Sequence, residues 1–142
     1  MIYVDTSVLA AFYLPEPLSS RAERLLRAEV APAISDLTDV ELLSAIARKV
    51  RGKEISAADG ARVAATFLSH VSAGLYGRIA VERVHFRLAR EWLAGFTVRL
   101  RSLDALHLAL ASQAGAKLVT ADRELAKAAR ALGVAAQLLV AA

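Results

Sequence analysis

The 142-residue chain contains no cysteine. That removes a disulfide framework and any thiolate metal site. Long apolar runs are missing as well. The longest, Val8 to Pro15 and Ala105 to Ala111, fall far short of the roughly 20 residues that a bilayer requires, so no membrane partner is expected. Asp5 interrupts the apolar N-terminus and no basic segment precedes it. This argues against a signal peptide and for a cytoplasmic protein. Several nucleotide and hydrolase signatures are absent. No Gly-x-Gly-x-x-Gly follows a strand, which leaves a dinucleotide fold unsupported. There is no Gly-x-x-x-x-Gly-Lys phosphate loop and no Gly-x-Ser-x-Gly elbow. Asp5-Thr6-Ser7 lacks the second aspartate of a dehalogenase-type phosphatase. Repeats, low-complexity tracts and linkers are also lacking, so residues 1–142 are expected to form one domain.

What is present is apolar and unevenly charged. The apolar fraction is 56%, above the usual ~45–50%; it allows a large core and leaves apolar surface for a partner. The net charge of +4 divides unevenly: residues 1–47 carry seven acidic and three basic side chains, and residues 48–101 carry eleven basic and four acidic ones. An acidic cluster beside a basic stretch suits a polyanion held near a cation site, although solvated helix faces account for either stretch alone.

Strands and helices alternate along the chain. Ile2-Tyr3-Val4 opens as a strand, and a helix from Val8 to Leu14 stops at Pro15. Pro17 to Glu29 is an amphipathic helix with Leu18, Ala22, Leu25 and Leu26 on one stripe, and Ala31 to Ser35 is a short strand. Leu37 to Arg51 is helical with Val40, Leu43, Ala47 and Val50 sharing a face, and Gly52 ends it. Ser56 caps a helix striped by Ala61, Ala64, Ala65, Leu68 and Val71. Ile79 to Val81 reads as a strand, and Val84 to Phe96 as a helix with Val84, Leu88 and Trp92 in line. Leu103 to Ala114 is apolar nearly all round, which predicts a buried helix. Lys117 to Thr120 is a strand, Arg123 to Leu132 a helix stopped by Gly133, and Ala136 to Val140 a last strand. The expected fold is α/β, with a mainly parallel central sheet of about five strands and helices on both faces.

In such a sheet the strand C-termini share an edge with the N-termini of the following helices. Asp5 ends the first strand, Asp122 follows the strand Lys117 to Thr120, Asp104 lies in the first turn of the buried helix, and Glu41 lies in the first turns of the Leu37 helix. All four acids fall at that edge. Each has an ordinary explanation: Asp5 or Asp122 as a helix cap, Asp104 answering a helix dipole, and Glu41 closing a capping box with Thr38. Together they weigh differently. Asp104 is embedded among Leu103, Ala105, Leu106 and Leu108, and burying an unpaired charge is costly. Carboxylates gathered at one edge repel unless a cation neutralises them. Oxygen ligands without cysteine or an obvious histidine pair select a hard ion such as Mg²⁺ or Mn²⁺.

The order of these motifs resembles the PIN-domain family, in particular its VapC-type branch. Ile2-Tyr3-Val4-Asp5-Thr6-Ser7-Val8-Leu9 resembles the opening strand with its first acid, and Ser35 through Thr38 to Glu41-Leu42-Leu43 the segment with the second. Leu103-Asp104-Ala105-Leu106-His107-Leu108-Ala109 is similar to the helix bearing the third acid, and Leu118-Val119-Thr120-Ala121-Asp122-Arg123-Glu124-Leu125 to the closing motif. The resemblance implies a Mg²⁺- or Mn²⁺-dependent endoribonuclease, the toxin of a VapB–VapC-type pair. Asp5, Glu41, Asp104 and Asp122 would form the acidic quartet. Asp5 and Asp104 would bind the metal directly, Asp122 directly or through water, and Glu41 through water, with Thr6 and Thr120 orienting carboxylates or water. The chemistry implied is hydrolysis of an RNA phosphodiester to a 5′-phosphate and a 3′-hydroxyl. A VapB-type antitoxin seated near Pro17–Glu29 and Leu37–Arg51, and a homodimer, are the implied protein partners.

Two other classes remain: a non-catalytic PIN-type RNA-binding module, disfavoured by the intact quartet, and a structure-specific DNA nuclease, disfavoured by the compact chain. Among the remaining residues, Asp39 reads as a solvated acid outside the quartet. His107 reads as a satisfied core histidine, with orientation of Asp104 as the alternative. Arg83, Arg87, Arg90, Arg99 and Arg101 are candidates for RNA phosphate contacts or a solvated face. Trp92 lies on the apolar stripe, where core packing outweighs base stacking.

Overall fold

The first strand, β1 (Ile2–Val4), alternates its side chains between two apolar layers. Ile2 and Val4 enter one core cluster and Tyr3 the other, and all three are buried. That is the signature of a strand covered on both faces. The computed structural model describes residues 1–141. Within them, β1 is followed by α1 (Thr6–Tyr13), α2 (Ser19–Ala28), β2 (Ala33–Ile34), α3 (Asp36–Arg51), α4 (Ala57–Ser72), β3 (Gly77–Arg78), α5 (Arg83–Ala94), α6 (Ser102–Gln113), β4 (Lys117–Thr120), α7 (Arg123–Ala131) and β5 (Ala136–Leu138). The sheet runs β3-β2-β1-β4-β5, and every pair is parallel. The expected α/β architecture with about five strands is what the chain adopts.

Helices divide by face. Ile2, Val4, Ile34 and Val119 pack with Val8 and Leu9 of α1, Ala22 and Leu26 of α2, Leu42 and Ile46 of α3, and Phe67 of α4. Tyr3, Ala33 and Leu118 pack with Leu108, Leu110 and Ala111 of α6 and with Leu125 and Ala129 of α7. Helix α6 is buried continuously from Ala105 to Ala111, as its all-round apolar sequence predicts. Trp92 is half-buried against this second cluster, which settles it as a packing residue.

Three helical stripes differ from the sequence reading; on α5 the buried residues are His85 and Ala89, while Val84 of the expected line is 38% exposed. On α3 the buried line is Thr38, Leu42 and Ile46, while Val40 is 70% exposed. Thr38 is polar, yet it lies in the buried line because its hydroxyl is consumed inside a capping box with Ser35. On α4 the buried residues are Gly60 and Phe67, with Leu68 half-exposed. Gly60 carries no apolar weight in a periodicity count, yet a Cβ there would stand 2.7 Å from Val50 Cγ2. The glycine is what lets α4 approach α3. Strand β3 pairs at Gly77–Arg78 rather than Ile79–Val81, as a two-residue edge. Pro17 lies in the turn before α2 rather than in its first helical turn.

The strand order reverses beside β1. The chain steps from β1 to β2 and β3 on one side, then crosses back to place β4 on the other. The register sets Val4 opposite Val119, so Asp5 and the β4–α7 turn emerge side by side at the carboxyl edge. This is a topological switch point, where open α/β sheets form their binding crevice.

Candidate active site at the carboxyl edge of the sheet

Asp5 has the extended backbone of a helix N-cap at the start of α1, but its side chain makes no cap bond. Its oxygens are held by hydroxyls instead. Ser7 Oγ donates to Oδ1 at 2.5 Å and Thr120 Oγ1 to Oδ2 at 2.7 Å. Only 5% of Asp5 is exposed. Burial pushes its carboxyl above the ordinary aspartate value, with the two hydroxyl bonds acting against that rise.

Thr120, fully buried at the end of β4, also accepts the Asp122 backbone N–H at 3.0 Å, and Ser7 Oγ accepts that of Ala121 at 2.9 Å. These bonds lace the turn after β4 to the start of α1. Asp122 caps α7 with one oxygen: Oδ1 accepts from the Glu124 and Leu125 amides at 2.9 and 3.3 Å. Its Oδ2 faces Arg101 Nη2 at 3.9 Å. Asp104, in the first turn of α6, receives Arg101 Nε at 3.4 Å. Burial raises its carboxyl, the neighbouring Asp122 charge adds to the rise, and Arg101 opposes it. Arg99, Arg101, Asp104 and Asp122 line one cavity of about 380 Å³.

Glu41 does not close a capping box. That box belongs to Ser35 and Thr38, one turn earlier. Glu41 Oε1 accepts Thr6 Oγ1 at 3.0 Å and meets His107 Nε2. Burial disfavours its charge, but the His107 and Thr6 bonds and nearby Arg101 outweigh that and hold the carboxyl below the usual glutamate value. Asp5, Glu41 and Asp104 all lie within electrostatic reach of His107. Asp39 stands apart, paired with Arg78 at 3.0 Å.

The four acids thus reach one edge from α1, α3, α6 and α7, with Thr6 on Glu41 and Thr120 on Asp5. Among the described residues, no three of His, Asp and Glu are grouped closely enough to form a ready cage. A hard divalent ion does not require one. Mg²⁺ keeps several waters and is held by one or two carboxylates together with substrate phosphate. The donor set fits such an ion: a buried carboxylate at Asp5 whose charge is disfavoured, and two carboxylates at Asp104 and Asp122 that share an arginine. Arg83, Arg87 and Arg90 lie on exposed positions of α5, outside the acid-lined cavity.

Sequence reasoning passed over three features of this site. Ser7 was a motif residue without a role, although an Asp-x-Ser spacing at a helix start signals a hydroxyl beside a carboxylate. Tyr3 read as a strand residue. His107 is buried and satisfied, as expected of a core histidine, but its partners are Tyr3 and the site acid Glu41.

Among the described residues no helix is long and apolar enough to cross a membrane. The family model that matches the chain is that of the PIN domain, over residues 2–131. No curated protein matches the sequence. The fold is similar to those of VapC20 from Mycobacterium tuberculosis, described as a sarcin-ricin loop cleaving toxin (TM-score 0.71, 20% identity, 100% of each chain covered). It is also similar to FitAcB from Neisseria gonorrhoeae (0.71, 20%, 96% of each chain). A third similar structure is VapBC2 from Rickettsia felis bound to a promoter DNA fragment (0.69, 16%, 99% of this chain and 100% of that one).

Proposed function

The chain belongs to the PIN-domain family, and on that premise we propose that it is a Mg²⁺- or Mn²⁺-dependent endoribonuclease that acts as a VapC-type toxin, neutralised by a VapB-type antitoxin. The observation that carries the reading is Asp5, a carboxylate 5% exposed and clamped by two hydroxyls at the switch point of the sheet. Such a group is costly to hold charged and is relieved by a cation. Asp5 and Asp104 would hold the ion, with Asp122 beside them and Glu41 acting through water. When bound, the ion supplies charge to orient a phosphate and to acidify water. The protein's part is placement. Thr120 and Ser7 fix both oxygens of Asp5, Thr6 fixes Glu41, and Arg99 and Arg101 line the acid cavity where a phosphate would enter. The similar structures include toxin–antitoxin complexes, and the exposed apolar side chains Val40, Phe86 and Phe96 supply surface for an antitoxin or a second copy to cover.

The test is cleavage of matched single-stranded RNA and DNA by purified protein. RNA cleavage should stop in EDTA, return with Mg²⁺ or Mn²⁺, and be lost in Asp5→Asn. Activity surviving thorough chelation would overturn the metal chemistry; cleavage of DNA alone would establish the DNA-nuclease alternative.

A further inference from the structure

Behind Glu41 runs a line of buried polar side chains that the quartet does not require. At the start of α3 the Thr38 backbone N–H donates to the Ser35 carbonyl at 3.0 Å, and the Ser35 backbone N–H donates to Thr38 Oγ1 at 3.2 Å. Ser35 Oγ lies 2.8 Å from the Tyr3 hydroxyl, the Tyr3 hydroxyl 2.7 Å from His107 Nδ1, and His107 Nε2 is bonded to Glu41 Oε1. Tyr3, Ser35 and Thr38 are fully buried and His107 is 1% exposed. Three elements contribute: β1, α6, and α3 both at its N-terminus and about two turns on.

One arrangement of protons satisfies every atom in this line. An ionised Glu41 only accepts, so the hydrogen sits on His107 Nε2. The Nδ1 lone pair then accepts from the Tyr3 O–H, and the Tyr3 oxygen accepts from the Ser35 O–H. Every donor points toward Glu41, so each bond polarises the next in the same sense. A doubly protonated ring would turn the Tyr3 hydrogen back onto Ser35 and take away the acceptor of the Ser35 hydroxyl.

From this geometry we infer that His107 and Tyr3 are positioning residues for Glu41, holding its carboxylate at the site edge through a one-directional hydrogen-bond chain. Glu41 is two turns into α3, and its side chain has several rotatable bonds. Thr6 and His107 both donate to Oε1; the Thr6 hydroxyl can rotate about its own bond, whereas a rigid imidazole whose far nitrogen is anchored to Tyr3 fixes where that oxygen sits. The inference deepens the ribonuclease reading and rests on it.

Three measurements test it. Long-range ¹H–¹⁵N spectra of the metal-free wild type should show His107 protonated at Nε2 only, with its signals moved by Tyr3→Phe and by Glu41→Gln. In cleavage assays His107→Leu should lower kcat by about 10–100-fold, the usual cost of losing an orienting partner, with KM changed less than threefold. His107→Gln should restore much of kcat, because its amide can donate to Glu41 and accept from Tyr3. In a Glu41→Gln background, His107→Leu should cost nothing more. Losses that multiply with Glu41→Gln, or an Nδ1-protonated ring, would overturn the inference. If His107→Leu does not fold, Tyr3→Phe takes its place in the cycle, since it deletes one hydroxyl and little volume. A wild type that cleaves no RNA would sink the ribonuclease reading and the positioning role with it. The ring tautomer would still report whether the chain of bonds exists.

Discussion

Thr120→Val is the perturbation that most directly probes how the fold holds its central acid. Valine matches threonine in shape, so packing at the end of β4 is preserved and only the hydroxyl is lost. Thr120 is fully buried and makes two bonds, to Asp5 Oδ2 at 2.7 Å and from the Asp122 amide at 3.0 Å. A hydrogen bond to a charged group contributes about 1.5–3 kcal/mol, and a buried group left unpaired costs about 1–3 kcal/mol. The Asp122 amide is only part-buried and can recruit water, so a loss of roughly 3 kcal/mol is expected. At the usual unfolding entropy per residue, a chain of this length loses about 3 °C of Tm per kcal/mol, or roughly 10 °C.

The loss should also depend on pH. Burial already raises the Asp5 carboxyl in the folded protein, and the Thr120 bond opposes that rise. A carboxyl raised on folding costs stability wherever it is ionised. The cost is complete above its folded pKa and vanishes below the ordinary aspartate value, because in that window the folded state binds more protons than the unfolded one. Removing Thr120 raises the folded pKa further, so the variant's deficit should be larger at pH 8 than at the lowest pH at which wild type folds. Urea or thermal melts of both proteins in EDTA at the two pH values measure this. A loss below about 0.5 kcal/mol at pH 8, or an equal loss at both, would show that Thr120 does not hold the Asp5 carboxylate, since even a weak hydrogen bond contributes that much.

Two more perturbations probe the rim. Asp104→Asn removes a carboxylate that burial and Asp122 hold above its ordinary pKa, with Arg101 opposing them. In EDTA the variant should therefore melt no lower than wild type and up to about 3 °C higher, while the gain from added Mn²⁺ shrinks. A variant that melts lower in EDTA and gains as much from Mn²⁺ would return Asp104 to a helix-dipole role. Arg99→Gln, placed in the cleavage-dead Asp5→Asn protein, should weaken RNA binding and lower the slope of log affinity against log salt by about 0.7, the share of one phosphate contact on a single strand. An unchanged slope would assign Arg99 to ordinary solvated surface.

The edge itself was legible because it needs little more than element order. Alternating strands and helices imply a parallel sheet, a parallel sheet gathers strand ends and helix starts, and the four acids occupy those positions. The buried faces of α3 and α4 were harder. In a chain this apolar several stripes fit each helix, and the residues that decide are Thr38, polar but consumed in a cap, and Gly60, which has no side chain to count. The role of His107, and that of Ser7 toward the turn after β4, lay further out of reach. Both depend on contacts far apart in sequence, Tyr3 with His107 and Ser7 with Ala121, and no local pattern encodes which hydroxyl meets which ring nitrogen.

How the helix starts are capped gives a separate argument for function at this edge. Helix α3 is closed by Ser35 and Thr38, α4 by Ser56 and α7 by Asp122, each with a side chain accepting a free backbone N–H. Helix α1 begins with Asp5, an ideal capping residue on a capping backbone, which makes no such bond. A missing cap forgoes about 1 kcal/mol. Here the forgone cap is joined by the cost of burying a charge whose pKa the fold drives upward. Neither cost is offset by packing, because Asp5 contributes nothing apolar. Local rules broken without a structural return concentrate at functional sites. Asp122 makes the contrast within the same edge: one oxygen caps α7 while the other faces Arg101 across the cavity. A purely structural origin for these acids would lead Asp5 to cap as Asp122 does. Its carboxylate makes no such cap and is fixed instead by two hydroxyls, one from Ser7 of α1 and one from Thr120 at the end of β4.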